Sequence, residues 1–477
     1  MSPAKKTPKK PDLLWKRENA WPTLKKTEKR AVEEYCRNYI GFLSAAKTER
    51  KAYAISVAEA EKRGFVSLEK IQAEGRCLEP GMKIYRGCRE KTLLLAVVGE
   101  EPLEAGLHIV GGHIDSPRLD AKPYPLYEDA ELALLDTHYY GGIKKYQWVA
   151  MPLALHGVVV KQNGDKVEIS IGEDPSDPVF VITDLLPHLG KEQAKKTLSE
   201  GITGEGLNVL FGSLPSTDKD AKEKVKANVL SLLHDTYGIV EEDFASAELE
   251  LVPAGPAREL GLDRSMILGY GHDDRVCAYG GLQALFDLKE TPRHTAIVLL
   301  CDKEEIGSVG ATGMDSTFFE NSIAEMIALE EGGFSGLTLR RCLESSRMLS
   351  ADVNMLHDPL YADVSSPNNT AKMNGGVVLA KYTGSRGKSG SSEASAEFMA
   401  DLRRVFNEAK VVWQTGELGK VDGGGGGTIA MFLARYGMDV VDCGVGLLSM
   451  HAPWEVASKL DTYMAYKAYK AFLADRR

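Results

Sequence analysis

Three apolar runs in this chain each give out onto residues suited to holding a cation. Residues 106–110 open into Gly111-Gly112 and then His113-Ile114-Asp115. Residues 294–301 lead directly into Asp302-Lys303-Glu304-Glu305, and residues 438–443 pass through a glycine-rich turn to His451. Short apolar runs bounded by glycine read as buried strands opening into loops. Ligands of open α/β sheets bind in the crevice beyond the carboxyl ends of parallel strands. An α/β fold with these strands as neighbours would therefore bring the polar groups together.

The chain has 477 residues, 43% of them hydrophobic, enough for a sizeable core and more than one domain, since single cores stop growing at roughly 250 to 300 residues. Residues 28–63 read as helical, with Ala31, Tyr35, Ile40, Phe42 and Leu43 among many charges. The end of the chain, 455–477, spaces Leu460, Tyr463, Met464, Tyr466, Tyr469 and Phe472 as a packed terminal helix. Between 121 and 263 the character changes. Alternating patches at 156–160 and 166–171, a Pro/Asp turn at 174–178 and a lysine-rich helical stretch at 219–233 predict a β-rich domain inserted into a sheet domain made of 12–120 and 264–477. Residues 1–11 are a lysine-rich tail, expected to be flexible.

Fifty-eight basic against 68 acidic residues leave a net charge of −10, which supplies no electrostatic footprint for nucleic acid or an anionic membrane. Neither is an expected partner. The seven cysteines form an odd count without a C-x-x-C pair, so reduced thiols in a cytoplasmic protein are expected rather than a disulfide framework or zinc ribbon. No secretory apolar core and no membrane-length apolar run is present.

Five polar islands carry the chemistry. His113 and Asp115 are two apart, so an extended segment turns both to one face; the imidazole can hold a metal while the carboxylate orients it. Asp273 and Asp274 precede an apolar helical stretch at 276–288. One of them could bridge two cations and the other cap the helix. Glu304 and Glu305 would repel each other unless cations or a proton intervene, which suits one ligand and one general base. Asp352 lies in apolar surroundings, where a charge needs a partner, and His451 follows a glycine-rich run. The five-glycine run 423–427 lacks Gly-Lys-Ser/Thr and fits close packing or a turn better than a phosphate loop.

Taken together, Gly-Gly-His-Ile-Asp-Ser-Pro-Arg-Leu-Asp (111–120), Asp-Asp-Arg (273–275), Asp-Lys-Glu-Glu-Ile-Gly-Ser (302–308), Ser-Ala-Asp-Val-Asn (350–354) and Ser-Met-His-Ala (449–452) resemble the aspartyl aminopeptidase family along nearly the whole chain. The resemblance implies a doubly wound mixed sheet with helices on both faces, of the zinc-exopeptidase kind, whose inserted β-rich domain serves oligomerisation. It further implies two zinc ions per subunit, for which cobalt or manganese could substitute. His113 and Asp352 would hold one, Glu305 and His451 the other, and Asp273 would bridge them. Glu304 would be the general base with Asp115 behind His113. Here the bridging motif reads Gly-His-Asp-Asp-Arg where many eukaryotic relatives have Arg-Leu-Asp-Asn, so Asp273 is preferred to Asp274 by alignment to Leu-Gln-Ala-Leu (282–285).

Family substrates are peptides with an acidic N-terminal residue, and Lys381 resembles the position that meets that side chain. Members assemble as homododecamers around an internal chamber. The expected reaction is hydrolysis of the first peptide bond by a metal-activated water that passes its proton to Glu304. Two rivals remain at this point: a dinuclear aminopeptidase of neutral or broad specificity, and a metal-stabilised binding or cargo protein without turnover.

Overall fold

Residues 13–15 and 17–477 are described by the structure, a computed structural model; the lysine-rich tail at 1–11 lies outside them. The central sheet has nine strands, in the spatial order Val66–Ser67, Lys83–Cys88, Thr92–Val97, Thr295–Cys301, Leu107–His113, Arg347–Ser350, Asp439–Gly444, Val377–Ala380 and Trp413–Thr415. The four in the middle, from Thr295–Cys301 to Asp439–Gly444, are mutually parallel. The mixed α/β class expected from the sequence is what the chain forms.

Why the strand sequences are apolar throughout follows from what covers them. Leu93, Leu95, Val97, Val110, Val298 and Leu300 belong to one buried core, together with residues of the helices Lys26–Ala45, His272–Phe286, Ala396–Glu408 and Lys459–Leu473. Their alternates Leu94, Ala96, Ile109, Ile297 and Leu299 point into a second core, closed by Leu68–Ala73, Phe318–Glu331, Gly336–Glu344 and Ala430–Ala434. Alternation along each strand thus feeds two helical layers.

A second sheet of six antiparallel strands is drawn from Lys166–Ile171, Leu153–Val160, Ala247–Pro253, Arg118–Asp129, Leu132–Tyr140 and Val209–Gly212, in that order, over its own core around Trp148, Leu155 and Leu251. A five-stranded sheet joins Arg258–Leu260, Met266–Gly269, Glu455–Ser458, Gly446–Leu448 and Asn354–Met355.

The expected helical stretch at 28–63 is two helices, Lys26–Ala45 and Glu49–Lys62, with the second capped by the Thr48 hydroxyl on the Lys51 N–H. The terminal helix starts at Lys459, after the strand Glu455–Ser458 and a Ser458 cap. Among the described residues no helix is long and apolar enough to cross a membrane.

Candidate metal centre

The register of the parallel strands sets where the site lies. Cys301 is paired with His113, and Ser350 with Gly111, so the segments after Cys301 and Ser350 leave the sheet beside the His113 ring. Gly112 allows this crowding: a Cβ there would stand 2.7 Å from the Asp274 carboxylate and 2.9 Å from the Ala351 carbonyl. Beyond Cys301 the chain turns through Lys303 at φ 69° into a single 3-10 turn, Glu304–Ile306. His451 sits at φ 64° past Gly446–Leu448.

His113 Nε2 is 3.1 Å from Asp273 Oδ1, 3.9 Å from Asp352 Oδ1 and 4.0 Å from Glu304 Oε2. His451 Nε2 is 3.2 Å from Asp273 Oδ2 and 3.5 Å from Glu305 Oε2. The two oxygens of Asp273 therefore face different imidazoles. Donor atoms of His113, Asp273 and Asp352, of Asp273, Glu305 and His451, and of His113, Glu304 and Glu305 lie within 4.8 Å of one another in each trio. Asp274, joined to Asp273 through a cis peptide bond, turns its Oδ2 to the His113 backbone N–H at 3.2 Å and faces no imidazole in this way.

Two carboxylates hold this arrangement from behind. Asp115 accepts from the His113 ring at 3.2 Å, from the Glu304 and Glu305 N–H groups at 3.2 Å each, and from the Tyr140 hydroxyl at 2.8 Å. Glu455, fully buried, accepts from the backbone N–H of Asp273 at 3.1 Å and of His451 at 2.8 Å. Sequence reasoning found Asp115 but missed Glu455 and Tyr140. The partners of Glu455 are backbone amides and that of Tyr140 is the Asp115 carboxylate on another segment, and no local pattern signals either. The turn after Tyr140 also reaches the site: the His451 Nδ1–H donates to the Gly142 carbonyl at 3.0 Å, and a Cβ on Gly141 would stand 3.3 Å from Glu305.

Electrostatics follow from crowding carboxylates in a buried place. Burial works against ionisation of Asp273, but hydrogen bonds from His113 and His451 hold its carboxyl well below the usual range. Burial, reinforced by the neighbouring carboxylates, pushes Glu305 and Asp352 well up and Glu304 to about 7. Both imidazoles pay a desolvation cost that their carboxylate partners outweigh, so His113 is raised well above its ordinary value and His451 to about 10. Raised in this way, these groups favour protons where divalent cations would otherwise balance the charge. Glu305 Oε1 is buried and has no hydrogen-bond partner among the described residues. Imidazole nitrogens and carboxylate oxygens at this spacing are a donor set that fits zinc.

Lys381 is not among the residues gathered here. It follows Val377–Ala380, which runs antiparallel to Asp439–Gly444 with Val378 opposite Gly444 and Ala380 opposite Asp442, and so heads away from the carboxyl edge. Its ammonium is 3.8 Å from Glu393. The glycine run is a packing device: Gly425–Gly426 pairs with Gly384–Ser385, and a Cβ on Gly425 would stand 2.5 Å from the Gly384 carbonyl.

Nitrogen and oxygen donors drawn together at the carboxyl edge of an open α/β sheet, with a spare carboxylate beside them, are the equipment of a metal-dependent hydrolase. Comparison with known proteins narrows the class. Residues 42–473 match the model of the aminopeptidase I zinc metalloprotease (M18) family. A probable M18 family aminopeptidase 1 of Clostridium acetobutylicum is 52% identical over 97% of this chain and 99% of its own length. The crystal structure of an M18 aminopeptidase from Thermotoga maritima superposes with a TM-score of 0.91 at 45% identity, covering 96% of this chain and 99% of that one. A yeast mApe1, solved as a dodecamer, shares the fold at 20% identity and a TM-score of 0.75, over 93% and 97% of the two chains. The chain belongs to the M18 family, and its activity is that of a zinc-dependent aminopeptidase.

Proposed function

We propose that the chain removes single residues, preferentially Asp and Glu, from the amino terminus of peptides at a centre of two zinc ions. His113 and Asp352 would hold one ion, Glu305 and His451 the other, with Asp273 shared. The observation that carries this reading is the Asp273 carboxylate, whose two oxygens lie 3.1 and 3.2 Å from imidazoles of different strand ends.

Zinc, when bound, supplies Lewis acidity and lowers the pKa of water towards about 7. The remaining steps belong to the chain. Glu304, a carboxylate that burial pushes up to about 7 in the metal-free chain, would take the proton of the attacking water and return it to the leaving nitrogen. Asp115 keeps the His113 ring and the Glu304–Glu305 turn in place through the four bonds described above. The resemblance would have Lys381 meet the acidic side chain of the substrate, although its ammonium stands 3.8 Å from Glu393 and outside the cluster.

Metal analysis and hydrolysis of Asp-, Glu-, Leu- and Lys-peptides, after chelation and zinc return, test the reading together. Two zinc ions per chain are expected, with activity lost and restored in step. Glu304→Gln should keep both ions and lower kcat by about 10² to 10⁴. Full turnover in that variant would remove Glu304 as the base, and a chain that binds zinc without hydrolysing any peptide would point to the binding-protein alternative. Neutral or broad specificity is the second reading, favoured by the pairing of Lys381 with Glu393. Lys381→Ala should then cost acidic and neutral substrates equally; a loss confined to acidic ones supports the first.

The same proposal includes self-association as a homododecamer. It is supported by exposed leucines at 185, 186, 189 and 198 and by the dodecameric yeast relative; native mass spectrometry should find twelve chains per particle. Seven free cysteines, five of them buried, support the cytoplasm as its compartment.

A further inference from the structure

Beside His451 lies a cavity of about 360 Å³ that the catalytic reading does not use. Gly142, Lys144, Tyr146 and Gln147 form one wall, Asp358 and Tyr361 another, and His451 itself lines it. Its size suits one amino-acid side chain or a short stretch of peptide. The wall that carries Lys144 is tied to the metal centre, because the Gly142 carbonyl accepts from His451 Nδ1 at 3.0 Å and Gly141 abuts Glu305. Lys144 is two residues further on, just ahead of the 3-10 turn Lys145–Gln147.

Lys144 is the one lysine or arginine of this lining, whose only other basic side chain is the imidazole of His451. It is exposed, and among the described residues no carboxylate lies within 4 Å of its ammonium. Lys303, next to Glu304, differs in this respect: its ammonium is 3.5 Å from Asp302. The other charged group of the cavity, Asp358, is engaged by the Leu360 N–H at 2.9 Å. An unpaired ammonium facing a space that opens on a metal ligand is placed to receive a carboxylate from whatever occupies that space.

We propose that Lys144 is a specificity-determining residue, and that the cavity beside His451 is the subsite for a carboxylate of the substrate. The carboxylate has two sources in an aminopeptidase: the side chain of an acidic first residue, or the C-terminus of a dipeptide. The proposal rests on the aminopeptidase reading and deepens it, because it adds to Lys381, the cation that the resemblance implies, a second one on the turn that the second sheet contributes.

The test uses the zinc-loaded enzyme and two sets of substrates. Aminoacyl anilides of Asp, Glu, Leu and Lys carry no C-terminal carboxylate, so they isolate the side-chain source. Leu-Leu and Leu-Leu-amide differ only at the C-terminus, so they isolate the other. In Lys144→Ala the ratio of kcat/KM on the carboxylate-bearing over the matched neutral substrate should fall about five- to tenfold in one set, mainly through KM. In Lys144→Glu the Lys-to-Asp anilide ratio, or the Leu-Leu-amide to Leu-Leu ratio, should rise above wild type, a reversal that a structural role of Lys144 would not produce. An active wild type whose ratios are the same in both variants overturns the proposal and leaves the aminopeptidase reading intact. A wild type inactive on every one of these substrates overturns both.

Discussion

Glu455 shows how much of a metal centre can rest on a residue that never faces the metal. One carboxylate accepts the backbone N–H groups of Asp273 and His451, and so fixes the spacing between the shared carboxylate and one of its imidazoles. Groups behind metal ligands typically contribute 10- to 100-fold in affinity. Glu455→Gln keeps the volume but sets an amide NH₂ against one of those N–H donors. Chelator competition should show zinc binding weakened by about 10- to 100-fold, with Glu455→Asp recovering part of it; unchanged affinity in the glutamine variant would mean the backbone holds without it. The five polar islands were legible because each interrupts an apolar run, and a charge in apolar company needs a partner. Glu455 was not, since its partners are peptide groups 182 and 4 residues away.

At the scale of elements, strand ends decide which residues meet. Asp439–Gly444 runs beside Arg347–Ser350, and Gly444 lies so close to the chain beyond it that a Cβ would overlap the Asp352 carbonyl oxygen. Gly444→Ala must push that carbonyl away and carry Asp352 with it. Destabilisation of about 1 to 3 kcal/mol is expected, as for overpacking elsewhere, along with weaker zinc binding. Gly387→Ala, where nothing lies within 4 Å, should stay within about 0.5 kcal/mol. Denaturant melts and zinc titrations of both variants check this, and equal behaviour would refute it. Strands such as Leu107–His113 and Thr295–Cys301 could be read from their apolar runs. The break between Lys26–Ala45 and Glu49–Lys62 could not, because it is made by three residues within a charged, helix-favouring stretch. Nor could the strand Glu455–Ser458, whose pairing with Met266–Gly269 and Gly446–Leu448 is set by tertiary contact.

For the molecule as a whole, the centre is a store of protons that zinc must displace. His113 is raised well above its ordinary value and His451 to about 10, and Glu304 is raised to about 7. Groups raised in the folded state stabilise it most below their unfolded values, and that contribution is lost as pH climbs through the folded ones. The zinc-free protein should therefore lose stability from about pH 4.5 upward as the carboxyls ionise, and further as His451 approaches 10. Zinc binding needs the deprotonated ligands and runs the other way. The gap in melting temperature between zinc-loaded and chelated protein should be small near about pH 5.5 and large near about pH 8.5, and zinc added in weak buffer at neutral pH should release protons. A gap independent of pH, or no release, would contradict the arrangement. The order of the central sheet is the part of the fold that the sequence could not convey. Thr295–Cys301 slots between Thr92–Val97 and Leu107–His113, a pairing across nearly two hundred residues that no local pattern encodes.

The turn at Gly141 and Gly142 belongs to the six-stranded sheet, yet it rests on Glu305 and hydrogen-bonds His451. Anyone hoping to whittle this enzyme down to a smaller catalyst by cutting that sheet away would strip a wall from the reaction chamber. Any tilting of one sheet against the other would likewise be felt directly at Glu305 and His451.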